Sequence, residues 1–242
     1  LAATLARDAD FYFLDEITPY LDIGQRVTAA RLVRELADEE DRSMLVVEHD
    51  LAVLDLLADR LHVAYGEPGA YGVITDPKSV RNGINEYLRG YLDNENMRIR
   101  PDEITFEEHA PRESVTGTPL IDYPDLSKSY GEGEFSLTVE GGTIYQSEVL
   151  GVVGPNGIGK STLAKLFAGS LEPDEGALDF RLDIAYKPQY VEVDQPMRVD
   201  TFLSSITDDF GTSFWNTEIA KPLQLERIME QQLTDLSGGE RQ

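Results

Sequence analysis

The stretch GPNGIGKS, residues 154–161, carries the spacing G-x-x-x-x-G-K-S/T, which is typical of loops that bind the phosphates of a nucleotide. Gly157 and Gly159 let the backbone turn closely, so that its N–H groups point towards phosphate oxygens. Lys160 is placed to reach the terminal phosphates, and the Ser161 hydroxyl to bind Mg²⁺. A predicted strand precedes the loop and a predicted helix follows it, as this motif requires. The sequence therefore predicts a site for a nucleoside triphosphate with Mg²⁺.

A second set of chemically suitable residues lies far upstream, in FYFLDEITPYLD and VVEHD. Asp15 ends a predicted strand, where phosphate-loop ATPases hold the metal or its water, and Glu16 follows, where a base can orient the attacking water. An ordinary Asp–Glu pair at a strand end is the alternative interpretation. His49 follows the next strand and could hydrogen-bond a γ-phosphate, although an isolated histidine is more often structural. We give the structural interpretation to His62 and His109.

These residues need strands and helices to hold them, and the pattern of the chain predicts both. Residues 1–7 read as the end of a helix. FYFLD, SMLVV and RLHVAYG then predict buried strands that alternate with helices over residues 24–40 and LAVLDLLAD, which is typical of a parallel α/β sheet. SVRNGINEYLRGYL predicts a short helix. We predict antiparallel strands that end in a buried one for GEFSLTVEGGTIYQSEVLGVVG and a helix for KSTLAKLFAGSL. We also predict a strand for LDIAYKPQY and a helix-rich region for residues 197–236.

The composition limits the class of protein. The chain has 242 residues, no cysteine and a net charge of -24. It therefore has no disulfide, no thiolate zinc site and no iron–sulfur ligand set. Its apolar runs are too short to cross a bilayer and no signal pattern appears, so we expect a cytoplasmic protein. A solvated acidic surface explains the charge simply; adaptation to high salt is the sharper hypothesis, favoured by 15 arginines against 6 lysines.

Together these motifs resemble the ATP-binding-cassette family. LSGGE, residues 236–240, is similar to its signature motif, in which a serine hydroxyl and glycine amides bind the γ-phosphate held by the opposite cassette. The resemblance implies that Tyr20 to Asp22 form the turn after the acid strand, that Gln189 contacts metal and water, and that Tyr130, with Tyr123 nearby, stacks on adenine. The implied residues for ATP are Asp22, Tyr130, Asn156, Gly157, Gly159, Lys160, Ser161, Thr162, Gln189, Ser237, Gly238, Gly239 and Glu240; those for Mg²⁺ are Asp15, Ser161 and Gln189; those for catalysis are Glu16 and His49.

The order of the motifs is unusual, because the acid strand and histidine precede the phosphate loop. The chain is either the back of one cassette joined to the front of the next or a permuted single cassette. Residues 62–100 closely resemble the hinge of the ribosome-recycling ATPases, also called RNase L inhibitors, and favour the first alternative. The resemblance implies an α/β fold of phosphate-loop (ABC-type) cassettes, both partial. Residues 1–65 would be the C-terminal part of a first cassette, 66–118 the hinge and connector, and 119–242 the N-terminal part of a second.

In that family an iron–sulfur domain precedes two cassettes, and ATP-driven closure splits ribosomes. This sequence has no cysteine-rich domain, first phosphate loop or second acid strand, and Ile17 stands where the family more often has proline. We therefore expect an internal fragment, with iron–sulfur clusters only in a preceding segment. Neither nucleotide site is complete in it, so we expect little ATP hydrolysis by these residues alone.

The hinge is an exception to the acidic composition. Between Lys78 and Arg100 five basic residues face three acidic ones, a local charge of +2. The basic residues, Lys78, Arg81, Arg89, Arg98 and Arg100, are candidates for phosphate contact with rRNA of the small ribosomal subunit. A helix face carrying ion pairs is the alternative explanation.

The resemblance implies part of a twin-cassette ATPase for ribosome recycling, with a release-factor-like protein as a further partner and no membrane. One alternative is the ATPase subunit of a transporter, which would share the general motifs and lack the hinge. Another is a truncated module that binds ribosomes without hydrolysing ATP.

Overall fold

The computed structural model describes residues 1–39, 42–67, 69–107, 117–131, 133–178, 182–189 and 196–241. The chain forms two compact units, residues 1–181 and 182–242. His109 and part of the predicted connector lie outside the described residues. No helix in the described ranges combines the length and apolarity that a membrane span needs.

The first unit begins with the predicted strand–helix alternation. Its elements are α1 (Ala2–Leu5), β1 (Phe11–Asp15), α2 (Ile23–Glu39), β2 (Ser43–Val47) and α3 (Leu51–Leu57). Strands β1 and β2 are parallel, with Asp15 opposite Val47, as the alternation predicts. Only one face of β1 is buried: Tyr12 and Leu14 pack with Val33 of α2, whereas Phe13 is 72% exposed. The prediction of a fully buried strand is therefore wrong, because the described helices cover one side of this sheet.

Residues 60–98, which include most of the predicted hinge, form short antiparallel strand pairs and one helix. Its elements are β3 (Arg60–Leu61), β4 (Ala64–Glu67), β5 (Tyr71–Ile74), β6 (Lys78–Ser79), α4 (Val80–Arg89), β7 (Tyr91–Leu92) and β8 (Met97–Arg98). The pairs are β3 with β6, β4 with β5, and β7 with β8. Helix α4 confirms its prediction and ends at Gly90, whose φ of 71° is left-handed.

The prediction of RLHVAYG as a third parallel strand is wrong. The segment splits into β3 and β4 because Thr75 binds the residues between them. The N–H of Val63 donates to the Thr75 hydroxyl at 2.9 Å, and His62 Nδ1 lies 2.8 Å from the Thr75 carbonyl oxygen. This contact agrees with the structural role that we predicted for His62.

The rest of the first unit carries the phosphate loop. Its elements are β9 (Pro119–Tyr123), β10 (Leu126–Tyr130), β11 (Phe135–Val139), β12 (Gly142–Tyr145) and α5 (Lys160–Phe167). β11 and β12 are strands, as predicted, and they pair antiparallel with β10 and β9, which the sequence analysis did not predict. VLGVVG, in contrast, is not the predicted buried strand, since Val149 is 97% and Val153 86% exposed. Within the described ranges no strand pairs with this segment, so it has neither a ladder nor a covering face.

The second unit is helix-rich, as predicted for residues 197–236. It contains α6 (Val199–Ile206), a π-helix (Trp215–Ala220), 3₁₀ turns (Leu225–Arg227 and Leu233–Asp235) and α7 (Gly238–Arg241). Val199, Ile228 and Leu236 form its core. The strand predicted for LDIAYKPQY is wrong, because residues 182–189 are neither helix nor strand and pair with no described strand.

Candidate nucleotide site

The phosphate loop is built by two glycines in the left-handed region and by the start of α5. Gly157 has a φ of 80° and Gly159 a φ of 101°, and the helix begins at Lys160 with Ser161 and Thr162 in its first turn. Free N–H groups at a helix start attract anions. Lys160 Nζ donates to the carbonyl oxygens of Gly154 at 2.7 Å and Pro155 at 2.6 Å. The lysine is therefore folded onto its own loop.

Asn156 joins this loop to the turn after the upstream acid strand. Its backbone N–H donates to Asp22 Oδ2 at 3.0 Å, and its side-chain amide donates to the Tyr20 carbonyl oxygen at 2.7 Å and to Gln25 Oε1 at 3.2 Å. The N–H of Asn156, and after it that of Gln25, hold the pKa of Asp22 below its ordinary value, with help from the charge of Lys160. The structure thus brings Asp22 and Asn156, both predicted site residues, into direct contact.

The local sequence explains why this turn is well formed. Asp22 and Gln25 make a capping box: Asp22 Oδ1 accepts from the Gln25 N–H at 2.9 Å, and Gln25 Oε1 accepts from the Asp22 N–H at 3.2 Å. The box begins α2 and leaves Asp22 Oδ2 for Asn156. Arg26, the next residue, donates to the Leu21 carbonyl oxygen and pairs with Asp50 at 3.0 Å. The turn is therefore fixed both to the phosphate loop and to the residue after His49.

Glu16 and His49 lie together at the ends of the two parallel strands. Glu16 Oε1 is 3.2 Å from His49 Nε2, and both side chains are exposed. The backbone N–H of Glu16 donates to the Val47 carbonyl oxygen at 2.9 Å, which continues the β1–β2 ladder by one residue. Glu16 has a φ of 48°, unusual for a residue other than glycine. Asp15 ends β1 and is exposed.

The contacts also reveal residues that the sequence analysis missed. Glu48 accepts hydrogen bonds from the Thr18 N–H and hydroxyl and from the N–H groups of His49 and Asp50. Asp50 caps α3 by accepting from the N–H groups of Ala52 and Val53. For Asp50 the available signal was its position directly before an apolar helical run, where Asp is a common N-cap.

In the second unit, the signature residues form another capping box. The hydroxyl and N–H of Ser237 donate to Glu240 Oε2 at 2.6 and 2.9 Å, and these bonds lower the pKa of Glu240. Gly238 and Gly239 begin α7. Gln189 is exposed and outside any helix or strand. The Ser237 hydroxyl is thus engaged by Glu240 within its own turn.

Tyr130, the expected adenine platform, lies in the first unit. Tyr130 ends β10, is 41% exposed, and has its ring centroid 6.1 Å from that of Phe135. Within the described ranges, no group of three or more His, Cys, Asp or Glu side chains is arranged so that it could hold a metal ion.

The structure contradicts the expected role of Lys78 in the hinge. Its side chain is 3% exposed and lies 2.8 Å from Glu95 and 3.0 Å from Glu86, so it cannot reach an rRNA phosphate from this position. Arg89 pairs with Asp93.

Two further arginines of the hinge bind carbonyl oxygens. Arg100 donates to those of Tyr87 and Leu88 at the end of α4, and Arg98 donates to that of Pro101. Arg81 is exposed on α4. Lys78 and Arg89 are therefore engaged in ion pairs, which was the alternative explanation for the basic residues between 78 and 100.

Comparison with known proteins agrees with this geometry. Residues 140–242 match the model of the ABC transporter family, which covers the phosphate loop and the signature. The chain has the fold of an ABC-type ATPase.

Relatives align over the whole chain. It is 48% identical to an uncharacterised ABC transporter ATP-binding protein of Methanocaldococcus jannaschii and 39% identical to the translation initiation factor RLI1 of Saccharomyces cerevisiae, covering all of this chain and 39% and 40% of theirs. Ribosome-bound archaeal ABCE1, solved with Pelota, is similar with 50% identity and a TM-score of 0.90 over 99% of this chain and 40% of that one. Archaeal ABCE1 in complex with a ribosomal stalk protein gives 51% and 0.86 over 99% and 46%.

The chain belongs to the RNase L inhibitor (ABCE1) family of ABC-type ATPases. It spans about two fifths of the length of the curated relatives it matches.

Proposed function

We propose that this chain is part of a twin-cassette ATPase that uses ATP to split ribosomes into subunits during recycling. The observation that carries the proposal is the contact of Asn156 with Asp22 and Tyr20, because it joins the turn of one cassette segment to the phosphate loop of another. That pairing suits two cassettes facing each other, with residues 1–65 and 119–242 each contributing to both nucleotide sites and residues 66–118 connecting them.

The phosphate loop has the groups that a nucleotide needs. Gly157 and Gly159 have the required backbone conformation, and Lys160 is the cation for the terminal phosphates. Ser161 supplies a hydroxyl for Mg²⁺, with Gln189 proposed as a further ligand, Thr162 as a phosphate contact and Tyr130 as the adenine platform. Bound Mg²⁺ would neutralise charge on the phosphates.

The upstream residues would serve the opposite nucleotide. Asp15 is proposed to hold its metal, and Glu16 to orient the attacking water. His49, which lies 3.2 Å from Glu16, would sense the γ-phosphate. Ser237, Gly238, Gly239 and Glu240 would face this nucleotide from the second cassette segment. Because each site has only part of its groups here, we propose that the chain binds ATP weakly and turns it over slowly.

The partners are proposed from the relatives. Archaeal ABCE1 has been solved bound to the ribosome with Pelota, and in complex with a ribosomal stalk protein. For this chain we propose cytoplasmic contact with rRNA of the small subunit through Arg81 and Arg98, which the structure leaves exposed. Arg89 and Arg100 are weaker candidates for rRNA contact, because Arg89 already pairs with Asp93 and Arg100 already donates to carbonyl oxygens at the end of α4.

Nucleotide binding tests the first half of the proposal. Titration with a fluorescent ATP analogue and Mg²⁺ should give saturable binding that Lys160→Ala abolishes and that Lys165→Ala, a lysine on the same helix, leaves intact. Hydrolysis should stay near background. Absence of saturable binding would contradict the site, and robust turnover lost in Glu16→Gln would instead favour a permuted single cassette.

Ribosome binding tests the second half. The chain should pellet with small ribosomal subunits, and Arg81→Glu combined with Arg98→Glu should weaken that association and its salt dependence. Arg31→Glu, an exposed arginine on α2, is the matched control. Equal pelleting by both charge-reversed proteins would contradict the hinge contact.

A further inference from the structure

One carboxylate, that of Glu48, connects the two loops that carry Glu16 and His49. Its Oε1 accepts from the Thr18 N–H at 2.8 Å. Its Oε2 accepts from the Thr18 hydroxyl at 2.9 Å, from the His49 N–H at 3.0 Å and from the Asp50 N–H at 3.3 Å. Four donors from two loops thus meet on one side chain.

The anchored residues are firmly placed. Thr18 is 5% exposed, so its N–H and hydroxyl have little access to water and depend on this acceptor. Glu16 lies two residues before Thr18, and His49 directly follows Glu48. Hydrogen bonds to an ionised carboxylate are stronger than neutral ones. Movement of either loop would therefore be transmitted to the other through Glu48.

Only a glutamate at position 48 can accept all four of these hydrogen bonds. Every one of its four partners is a donor, so both oxygens must accept. A glutamine offers one acceptor oxygen, and its NH₂ group would face donors from Thr18 or from His49. An aspartate is shorter by one methylene and would not span the same two loops from the end of β2.

We propose that Glu48 is a positioning residue that sets the separation of Glu16 and His49. The 3.2 Å between Glu16 Oε1 and His49 Nε2 is then a consequence of the four bonds to Glu48, since both side chains are exposed and little packing restrains them. Any effect of Glu48 on ATP hydrolysis rests on the proposed roles of Glu16 and His49. Its effect on the separation of these two side chains does not depend on those roles.

The absence of cysteine in the sequence provides a direct test. Glu16→Cys and His49→Cys are combined in the full 242-residue chain, and the rate of crosslinking by the shortest bifunctional methanethiosulfonate is measured. Adding Glu48→Gln should slow crosslinking about tenfold, the factor that corresponds to the loss of roughly one net hydrogen bond. Thr18→Val, which keeps the N–H bond and removes the hydroxyl, should slow it less.

Two controls separate positioning from general damage. Glu35→Gln, an exposed glutamate on α2, should leave the rate unchanged. Circular dichroism during heating should show that each variant is folded at the temperature of the assay. An unchanged crosslinking rate in folded Glu48→Gln would overturn the proposal; if that variant does not fold, an unchanged rate in Thr18→Val would overturn it. Neither outcome depends on nucleotide binding, so failure here is distinct from failure of the proposed ATP site.

Discussion

The N–H of Asn156 donates to the Asp22 carboxylate at 3.0 Å, although 134 residues separate the two in sequence. Asp22 closes the turn after the acid strand, and Asn156 lies inside the phosphate loop. Through Arg26, the same turn is held to Asp50, beside His49. The groups proposed for one nucleotide are therefore connected by hydrogen bonds and one ion pair to the loop proposed for the other.

Removal of the Asp22 side chain should free the phosphate loop. Asp22→Ala deletes the acceptor of the Asn156 N–H and half of the capping box that begins α2. Amide hydrogen exchange at Asn156 should become several-fold faster. Asp55→Asn, an exposed aspartate on α3, is the control. Unchanged exchange at Asn156 would argue against the contact.

The same contact should depend on pH. Because hydrogen bonds hold the pKa of Asp22 below its ordinary value of 3.8, the contact contributes stability above that pH. The contribution is lost as pH falls through the lowered value. Protection of the Asn156 amide should therefore be constant near neutrality and fall below pH 3.8, and a decline that begins at neutral pH would point to another group.

The two loop glycines should tolerate alanine unequally. A Cβ on Gly157 would meet no atom within 4 Å, so Gly157→Ala costs only the left-handed backbone, about 1–2 kcal/mol. A Cβ on Gly159 would lie 2.9 Å from the Phe135 ring and 3.1 Å from Leu137, which adds roughly 1–3 kcal/mol of overpacking. Urea unfolding should rank Gly159→Ala as the less stable variant. Equal midpoints would contradict this ranking.

Lys78 should matter for stability rather than for RNA. Burial alone would lower its pKa, but the hydrogen bonds to Glu95 and Glu86 outweigh it, and the pKa is raised. Glu86 Oε2 is buried and has no other partner among the described residues. Lys78→Met should therefore destabilise the chain by about 3–5 kcal/mol in chemical denaturation, because two carboxylates lose their cation. Arg81→Met, three residues further on, should change it by less than about 0.5 kcal/mol.

The acidic composition should make the folded structure depend on the salt concentration. If the charge of -24 is an adaptation to salt, dilution from about 1 M to about 0.01 M lengthens the Debye screening distance from about 3 to about 30 Å. Repulsion within the chain then grows, and the far-UV circular dichroism should lose helical signal. A spectrum that is identical at both concentrations would exclude this adaptation.

The fold could be predicted from the sequence where one local pattern decides the outcome. Helices α2, α3, α4 and α5, the β1–β2 pair and the phosphate loop each carry their own periodicity or motif. The strands predicted for VLGVVG and LDIAYKPQY are wrong, because an apolar run becomes a strand only when another strand pairs with it. The part played by Glu48 could not be predicted, because its bond to Thr18 spans 30 residues and leaves no local signal. Lys78 was misjudged because charge counting does not distinguish a buried cation from an exposed one.

The uncovered side of the β1–β2 pair has a practical consequence. Phe11, Phe13, Leu45 and Val47 are all between 45% and 72% exposed. In the described ranges the pair has no third strand, and open edges beside apolar side chains favour intermolecular pairing. Mutual repulsion between like-charged molecules opposes such pairing. Added salt weakens repulsion within each molecule and also repulsion between molecules. A salt concentration that favours folding therefore also favours aggregation.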